Sequence, residues 1–382
     1  MSTSPQEEPR PLRMLALEAY YGGSHKAFLD GWIARSRHDW TVLSLPDSKW
    51  KWRMRHGSVT FAEQVSAAVA RGEQWDAIFT SDMLSLADFR GLAPPAVRNL
   101  PAVAYFHENQ LTYPVREANE RDFHFVFSNL TTALSAEAVW FNSAFHRDEF
   151  LTAATEFVRR MPDFKILTAI DTIRAKSVVY PPSIEMPDAP PERSAGPLHI
   201  LWAARWERDK CPERFFKALD LLAEEGLDFH LSVVGGEAGR QPLPIFEWAR
   251  QHFADHIRQW GFLESRAAYA QLLTQADVVV STADHEFFGI SILEAAAHGA
   301  FPLLPRRLAY PEVFSGGDEA GYDSFFYDGS EASLAQRLAA LARRKQKGGL
   351  WQGRPHRAYD TARRFASATQ VPLRDAALSD LL

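Results

Sequence analysis

The 382-residue chain contains one cysteine, Cys211, and no long hydrophobic run. A single thiol can form neither an internal disulfide nor a zinc site built from several thiolates, so we expect a reduced, cytoplasmic protein. The lack of an uninterrupted stretch of about 18 to 20 apolar residues argues against a membrane span. The polar, proline-containing residues 1–13 also lack the apolar segment of a signal peptide.

Positive charge is not in excess either, because 42 basic residues stand against 48 acidic ones and the net charge is −6. This balance excludes a globally basic nucleic-acid-binding protein, since counterion release requires clustered Lys and Arg; a local basic patch stays compatible with it. The hydrophobic fraction of 46% and the charged fraction of 24% are typical of a folded globular protein. At roughly 150 residues per domain, the length predicts two or three domains.

Short apolar runs alternate with longer helical patterns throughout the chain. The strand-like runs are residues 12–17, 40–45, 76–80, 102–106, 138–141, 176–179, 198–203, 230–234, 257–260, 277–282 and 301–304. The helical patterns are residues 26–36, 61–71, 123–135, 144–157, 212–224, 244–253, 267–275, 289–298 and 356–368. This alternation predicts parallel strands with right-handed crossovers, and hence an α/β fold with two Rossmann-like, three-layer domains.

Six prolines in the eighteen residues 180–197 separate the two halves. Because proline can continue neither a helix nor a central strand, this stretch is typical of an interdomain linker. We therefore predict an N-terminal domain over 1–183, a second domain over 184–354, and a helical segment over 355–382 that packs back toward the first domain. Ligands of parallel sheets bind beyond the carboxyl ends of the strands, so we expect the two domains to face one another across a cleft.

The segment 285–294 carries the most informative motif of the second half. It follows a predicted strand and opens a predicted helix, which places Glu286 in the loop and Gly289 and Ser291 at the helix N-terminus. Amides at that end of a helix suit a phosphate, and glycine lets the backbone approach a ligand closely. Glu294 lies little more than one turn further on and can face the same pocket. In the alternative interpretation, Glu286 only caps the helix and Glu294 is solvated.

Two cations follow the first strand of the second half. Arg205 leaves the end of that strand, and Lys210 precedes the next helix. An Arg fork and a Lys point charge are a suitable pair for a diphosphate, because one supplies geometry and the other charge. The alternative is that both form surface salt bridges with Glu207 or Asp209.

Two polar segments follow strands in the first half. Gly22 and Gly23 come just after the first strand, where glycines permit a tight turn against a diphosphate or a sugar. A purely structural turn is the alternative. His107 follows the strand 102–106 and precedes three polar residues, so we expect it to project into the cleft. The alternative is a packed histidine whose hydrogen bonds are satisfied.

The segment 49–55 places four cations and two indoles in seven residues. If the segment is extended, alternation puts its cations on one face and Trp50, Trp52 and Met54 on the other. Loops of RNA are bound by charge contacts to the backbone and by stacking of splayed bases, and this composition can supply both. One alternative is an amphipathic strand that is buried through its tryptophans. Another is that the rings are exposed, and a mixed outcome has half-packed rings with the cations toward the acceptor.

Arg205, Lys210 and the Glu-x7-Glu spacing of Glu286 and Glu294 resemble the donor site of the family-4 retaining glycosyltransferases, which have the two-domain GT-B fold. The resemblance implies that Arg205 and Lys210 hold the donor diphosphate. It implies that Glu286 binds the sugar hydroxyls and that Glu294 binds the ribose. The chain departs from the pattern after Lys210, where Cys211 stands in place of the Gly or Asn of many members.

The same resemblance implies a wider donor site. His107 would contact the transferred hexose near its reacting carbon, so we predict His107 and Glu286 as the catalytic residues. The donor-binding residues that we predict are Gly22, Gly23, Arg205, Lys210, Phe288, Gly289, Ile290, Ser291 and Glu294.

Residues 18–26, 45–55, 106–114 and 141–146 resemble a narrower family, the tRNA-queuosine α-mannosyltransferases. The resemblance implies GDP-mannose as donor and tRNA carrying queuosine at the wobble position as acceptor. It also implies that the leaving phosphate accepts the acceptor's proton, so that neither a protein nucleophile nor a metal ion is required; the sequence has no Asp-x-Asp motif. The acceptor-binding residues that we predict are Lys49, Trp50, Trp52, Arg53, Arg55, Asn109 and Gln110.

Other functions stay open at this point. The acceptor of a family-4 GT-B enzyme can also be a lipid, a saccharide or a small molecule. Two further alternatives are a catalytically inactive RNA-binding relative and a GT-B epimerase or phosphorylase, which would have no need of the basic segment 49–55. The sequence leaves the oligomeric state open as well.

Overall fold

The computed structural model describes residues 10–114, 122–192, 195–236, 243–314, 325–351 and 356–381. Contacts within the chain divide it into two units, one of Met1–Ser183 with Ser367–Leu382 and the other of Ile184–Ala366. Each unit contains a six-stranded sheet, and its strands pair in parallel. The predicted α/β class with two Rossmann-like sheets is therefore confirmed.

The first unit alternates strands with helices along the chain. Its strands are β1 (Arg13–Tyr21), β2 (Asp39–Pro46), β3 (Ala77–Ser81), β4 (Ala102–Phe106), β5 (Ala138–Phe141) and β6 (Ser177–Val179). Its helices are α1 (Gly23–Ile33), α2 (Trp50–Ala70), α3 (Leu86–Leu92), α4 (Pro95–Arg98), α5 (Phe123–Ser135), α6 (Ala144–Arg159), α7 (Leu167–Ala175) and, near the C-terminus, α15 (Ser367–Ser379). The strand order β2-β1-β3-β4-β5-β6 reverses direction between β1 and β3, which makes that edge the topological switch point.

The side chains of β1 show why this sheet is covered on both faces. Leu15 and Leu17 belong to one buried apolar cluster, whereas Met14 and Ala16 belong to another. Since successive strand residues point to opposite faces, the two clusters are the two layers of core on either side of the sheet. Polar side chains are thereby left for the strand ends.

The second unit repeats this plan. Its strands are β7 (Leu198–Ala203), β8 (Phe229–Val234), β9 (Ile257–Gly261), β10 (Val278–Val280), β11 (Phe301–Pro305) and β12 (Phe326–Tyr327). Its helices are α8 (Pro212–Glu224), α9 (Pro244–His252), α10 (Arg266–Gln275), α11 (Ile290–Ala297), α12 (Tyr310–Phe314), α13 (Glu331–Gln346) and α14 (Arg357–Arg363). The strand order β12-β11-β10-β7-β8-β9 places the switch point between β7 and β10.

The C-terminal segment is shared between the units. Helix α14 lies in the second unit, where Ala358 and Ala362 are buried in its core. Helix α15 lies in the first unit, where Asp375 accepts hydrogen bonds from Trp32 Nε1 at 2.7 Å and from the Arg37 amide at 2.8 Å. The boundary of the second unit is therefore at residue 366, whereas the sequence pattern suggested 354.

The expectation of an extended segment over residues 49–55 is wrong. Helix α2 begins at Trp50, eleven residues before the helical pattern recognised in the sequence, and Lys49 precedes it with a left-handed φ of 53°. Met54, Phe61, Val65 and Ala68 are buried at helical spacing, which ties this first turn to the core. None of the helices described is both long and apolar enough to cross a bilayer.

Candidate active site

Lys210 and Glu286 meet at the switch point of the second unit. Lys210 ends a short 3-10 turn after β7, and its Nζ donates to the His285 carbonyl at 2.6 Å. The same Nζ lies 3.0 Å from Asp209 Oδ2 and 3.4 Å from Glu286 Oε2. The predicted placement of Lys210 and Glu286 at one edge thus corresponds to a direct ion pair.

The charges of this pair depend on one another. Burial alone would lower the pKa of Lys210, but the carboxylates of Glu286 and Asp209 outweigh it and hold that pKa above its ordinary value. Burial would raise the pKa of Glu286, but Lys210 and the Phe288 amide outweigh it and hold that pKa below its ordinary value. Both groups are therefore ionised at neutral pH.

Gly289 forms the turn between Glu286 and helix α11. Its φ of 90° is left-handed, and a Cβ there would lie 2.8 Å from Cε1 of Tyr310, so the backbone conformation and the space both require glycine. Glu286 Oε1 accepts from the Gly289 amide at 3.2 Å. The amides of Ile290 and Ser291 then precede the first amide bonded within the helix, that of Leu293 to the Gly289 carbonyl. This is the arrangement that binds a phosphate at a helix N-terminus.

Two side chains of this motif have structural roles. The Phe288 ring is buried and contacts the ring of Phe365 edge-on, with centroids 5.4 Å apart. The Ser291 hydroxyl donates to the carbonyl of Ala203 at 2.8 Å, which ties α11 to β7. Any contact of Phe288 or Ser291 with a nucleotide-sugar donor would therefore come from their backbone amides.

Glu294 is held by two residues of α10 that the sequence did not single out. Its carboxylate is paired with the guanidinium of Arg266 and accepts a hydrogen bond from the hydroxyl of Tyr269. Arg205, by contrast, has a half-exposed side chain whose Nη2 lies 3.3 Å from Glu207 Oε2. The fold thus fixes Glu294 firmly, whereas Arg205 keeps a salt bridge of the kind that the alternative interpretation described.

Cys211 follows Lys210 with a φ of 49°, in the left-handed region that Gly and Asn favour. That conformation is consistent with the Gly or Asn that the family resemblance implies at this position. The thiol donates to Asp284 Oδ2 at 2.9 Å. Burial, together with Asp284, raises the pKa of the thiol to about 12.

Gly22 and Gly23 follow β1 in the first unit, and Gly22 lies against the neighbouring loop at Asp47. A Cβ at Gly22 would lie 1.9 Å from Oδ2 of Asp47, so only glycine leaves room for that carboxylate. Gly23 has a left-handed φ of 50° and begins α1, with no atom within 4 Å of a Cβ built there. Gly22 is therefore explained by packing in a structural turn. Gly23 has open space beside it, next to the end of β1.

His107 lies at the end of β4 in a buried polar cluster. Its amide donates to Asp82 Oδ1 at 2.8 Å, and its ring stacks on that of His25 with centroids 4.0 Å apart. His25 Nδ1 in turn lies 3.4 Å from Oε1 of Glu18 at the end of β1. One nitrogen or carboxylate oxygen of each of Glu18, His25 and His107 lies within 4.8 Å of the other two. Glu18 and His25 lie in the segment 18–26 that carries the family resemblance, but neither they nor Asp82 were predicted as site residues, because β1, α1 and the loop after β3 meet only in the fold.

Asn109 shapes the loop after β4 and is fully buried, which argues against the predicted acceptor contact. Its Oδ1 accepts from the amides of Leu111 at 3.0 Å and Thr112 at 2.9 Å. The Gln110 amide donates to Oδ1 of Asn129 at 2.8 Å. The prediction that Asn109 binds the acceptor is replaced by a role as a turn former, and the Gln110 side chain remains a candidate.

The first turn of α2 divides its side chains between core and surface. Trp50 packs on Phe125 of α5 with centroids 5.1 Å apart, and the Arg55 guanidinium lies 4.8 Å from the centre of the same ring. Trp52 is 60% exposed. Arg53 is tied to the preceding loop, because its Nε donates to the Pro46 carbonyl at 3.0 Å. Lys49, Lys51, Trp52 and Arg55 are exposed. Phe125, which packs against Trp50 and Arg55, was not predicted from the sequence.

The two halves match different family models. Residues 13–184 match the N-terminal domain of tRNA-queuosine alpha-mannosyltransferase, and residues 188–348 match glycosyl transferases group 1. Among solved structures, sucrose-phosphate synthase from Thermosynechococcus elongatus aligns with a TM-score of 0.71 at 15% identity, over 97% of this chain and 99% of that one. Alr3699/HepE of Anabaena in complex with UDP-glucose aligns with a TM-score of 0.67 at 15% identity, over 97% and 100%. The fold and the second-unit match make this chain a GT-B glycosyltransferase.

Sequence relatives narrow the class. The tRNA-queuosine alpha-mannosyltransferase of Drosophila melanogaster is 36% identical over 313 residues, which cover 79% of this chain and 81% of that protein. The GDP-mannose-dependent alpha-(1-6)-phosphatidylinositol dimannoside mannosyltransferase of Mycobacterium tuberculosis is 27% identical over 209 residues, 52% of this chain and 48% of that protein. The chain belongs to the tRNA-queuosine α-mannosyltransferase family, and it is a hexosyltransferase.

Proposed function

We propose that the protein transfers mannose from GDP-mannose to queuosine in the anticodon loop of tRNA, with retention of the anomeric configuration. The observation that carries this proposal is the match of residues 13–184 to the N-terminal domain of tRNA-queuosine alpha-mannosyltransferase. That match covers the unit with the basic, aromatic first turn of α2. Since a tRNA substrate and a single unpaired thiol both suit a reduced compartment, we infer that the enzyme acts in the cytoplasm.

The donor is held, in this proposal, by the second unit. Arg205 and Lys210 bind the diphosphate, the first-turn amides of α11 add partial positive charge, and Glu294 accepts from the ribose hydroxyls. Lys210 is already paired with Glu286, so the bound phosphate would contact a lysine that keeps this ion pair. Glu286 stays ionised and can accept hydrogen bonds from the mannose hydroxyls.

Transfer then breaks the bond between the anomeric carbon and the phosphate oxygen and forms one to a queuosine hydroxyl on the same face. The proton of that hydroxyl goes to the departing phosphate, so GDP leaves without a protein nucleophile. Negative charge grows on the leaving group, where Arg205 and Lys210 are placed to stabilise it, and positive charge grows on the sugar. With those two cations in place, the proposal requires no metal ion.

The acceptor is bound by the first unit. Lys49, Lys51 and Arg55 supply positive charge at the start of α2, and the exposed Trp52 supplies a ring for stacking. Backbone charge contacts combined with base stacking are how single-stranded RNA loops are bound. The support for an RNA acceptor is therefore local, since the chain as a whole carries a net charge of −6.

Mass spectrometry of tRNA nucleosides, after incubation with GDP-mannose and queuosine-containing tRNA, tests this function. We expect a hexose added to queuosine, and its release by an α-mannosidase reports retention because the donor linkage is also α. The same tRNA without queuosine and the donor UDP-glucose serve as matched controls.

Three results would contradict the proposal. Hexose transfer to a phosphatidylinositol mannoside but not to tRNA would favour the lipid acceptor. Turnover of GDP-mannose to a different nucleotide sugar would favour an epimerase. Binding of tRNA with no donor turnover of any kind would favour an inactive relative.

A further inference from the structure

Glu18 is fixed near the end of β1 by hydrogen bonds to only one of its two carboxylate oxygens. Its Oε1 accepts from the Tyr20 amide at 2.9 Å and from the Ser81 hydroxyl at 2.8 Å. Its Oε2 is buried and has no hydrogen-bond partner among the described residues. A buried carboxylate in this state is costly unless a cation neutralises it, and the imidazole of His25 lies beside it, with Nδ1 3.4 Å from Oε1.

The His25 ring packs against the His107 ring. The two rings overlap with centroids 4.0 Å apart and planes inclined by 35°. Tyr105 and Phe28 enclose the other sides of the His107 ring, with centroids at 4.7 and 5.1 Å. His107 thus has a ring held by packing and a backbone held by Asp82, in a position set by its neighbours.

We propose that Glu18 and His25 are positioning residues for His107, and that the carboxylate–imidazolium pair keeps the His107 ring in place and uncharged. This inference rests on the proposed function in one respect, the assignment of His107 to the hexose. A charged imidazole beside a sugar that develops positive charge would raise the barrier to transfer, whereas a neutral one can accept a hydroxyl hydrogen bond. Glu18 and His25 act through His107 and need not touch the substrate.

The pKa shifts agree with the geometry. Burial alone would lower the pKa of His25, but Glu18, with Asp82 and Glu108, outweighs it and raises that pKa to about 9. Burial, then the neighbouring His25, lowers the pKa of His107 far below its ordinary value. Other titratable or charged groups that act on this cluster are His146 of α6, Tyr105 of β4, and Arg374 of α15, which influences Tyr105.

The test compares His25→Phe with the double variant Glu18→Gln/His25→Phe. His25→Phe keeps a ring against His107 but leaves Glu18 without its cation, so His107 becomes the nearest base. We expect the pKa of His107 to rise by about one unit or more. NMR of labelled histidine rings follows this titration, and His107→Gln assigns the signal. Removing the carboxylate as well should lower that pKa again.

Transfer kinetics provide the second measurement. We expect kcat of His25→Phe to fall as the pH is lowered through the raised pKa of His107 and to recover at higher pH. KM for GDP-mannose should change little, because Arg205, Lys210 and Glu294 are untouched. A merely structural defect would change the rate without moving its pH profile. His252→Phe is the matched control, since His252 has a carboxylate partner, Asp220, in the second unit and should leave the His107 titration unchanged.

Two results would overturn the inference. One is an identical His107 titration in the wild type and in His25→Phe, with the fold intact. The other is one equivalent of a divalent metal, bound to the purified protein and lost in His25→Phe, because His25 would then be a neutral ligand. The NMR titration needs no substrate, so failure of the proposed transfer leaves this test valid and is recognised separately.

Discussion

Lys210 and Glu286, 76 residues apart in the chain, form an ion pair whose Nζ and Oε2 atoms are 3.4 Å apart. Lys210 is almost fully buried, whereas 29% of the Glu286 side chain is exposed. The lysine therefore depends on the pair for its charge, and the glutamate retains one side for a ligand. If a diphosphate binds here, as we propose, Lys210 is already ionised and oriented for it.

Lys210→Met should destabilise the second unit and abolish transfer. It leaves the carboxylate of Glu286 and that of Asp209 without their shared cation, which we expect to cost about 2–3 kcal/mol, less than for a fully buried pair. Denaturation in urea measures this cost. The double variant Lys210→Met/Glu286→Gln should recover part of the stability and none of the activity. Recovery of activity would argue against a role for Lys210 in donor binding.

Arg205→Ala and Glu286→Ala should each abolish transfer without unfolding the protein. Both side chains lie beyond strand ends, where truncation leaves no core cavity. Loss of a charge-assisted contact in the transition state should cost about 2–4 kcal/mol, roughly a 30- to 1,000-fold fall in kcat/KM. Arg208→Ala, an exposed cation of the neighbouring turn, is the matched control. Near-normal turnover in either variant would remove the donor-site assignment.

Lys51→Ala/Arg55→Ala should weaken tRNA binding and flatten its salt dependence. Each phosphate contact that is lost lowers the slope by roughly 0.7 on single strands, the value that applies to a loop, against roughly 0.9 on a B-form duplex. Titrations with tRNA at two salt concentrations measure this, and GDP affinity should hardly change. Arg53→Ala/Arg55→Ala should behave similarly, but part of its effect will come from loosening the Pro46 loop. Arg159→Ala/Arg160→Ala, at the end of α6, removes the same charge and should leave the slope unchanged.

Trp52→Ala should weaken tRNA binding by about 1–3 kcal/mol, the usual contribution of one base stacked on an aromatic ring. Its ring is 60% exposed, so the free energy of unfolding should hardly change. Trp50→Ala is the comparison, because Trp50 packs on Phe125 and its loss should lower stability. Equal tRNA affinity of Trp52→Ala and the wild type would mean that this ring does not stack on the acceptor.

Asn109→Ala should lower the free energy of unfolding by about 1–3 kcal/mol, because the amides of Leu111 and Thr112 lose their acceptor in a buried loop. Thermal and urea denaturation measure this loss. A variant with normal stability and weakened tRNA binding would restore the acceptor role that the sequence suggested.

The alternation of strands and helices predicted every strand of the two sheets described except β12, because parallel strands buried on two faces are recognisable as short apolar runs. The start of α2 was missed because a seven-residue segment fits both the two-residue period of a strand and the 3.6-residue period of a helix. Trp50, Trp52 and Met54 alternate as in a strand, and only the longer series through Phe61, Val65 and Ala68 shows the helical spacing.

Site residues were predictable where they lie close together in sequence, and less so where the fold assembles them. Glu286 and Glu294 sit on one strand–turn–helix element, so their spacing was informative. Glu18 and His107 come from β1 and β4, 89 positions apart by number, and meet only because the sheet brings those strand ends together. Asn109 was misjudged because a polar side chain in a loop can equally serve the backbone.

Cys211 has a practical consequence for work on this enzyme. A thiol whose pKa is raised to about 12 carries almost no thiolate at neutral pH, so it should be a poor target for alkylating reagents and mild oxidants. Since the chain has no other cysteine, it offers a chemically quiet background for site-directed labelling. A cysteine introduced at an exposed position outside the proposed sites would then be the one reactive thiol.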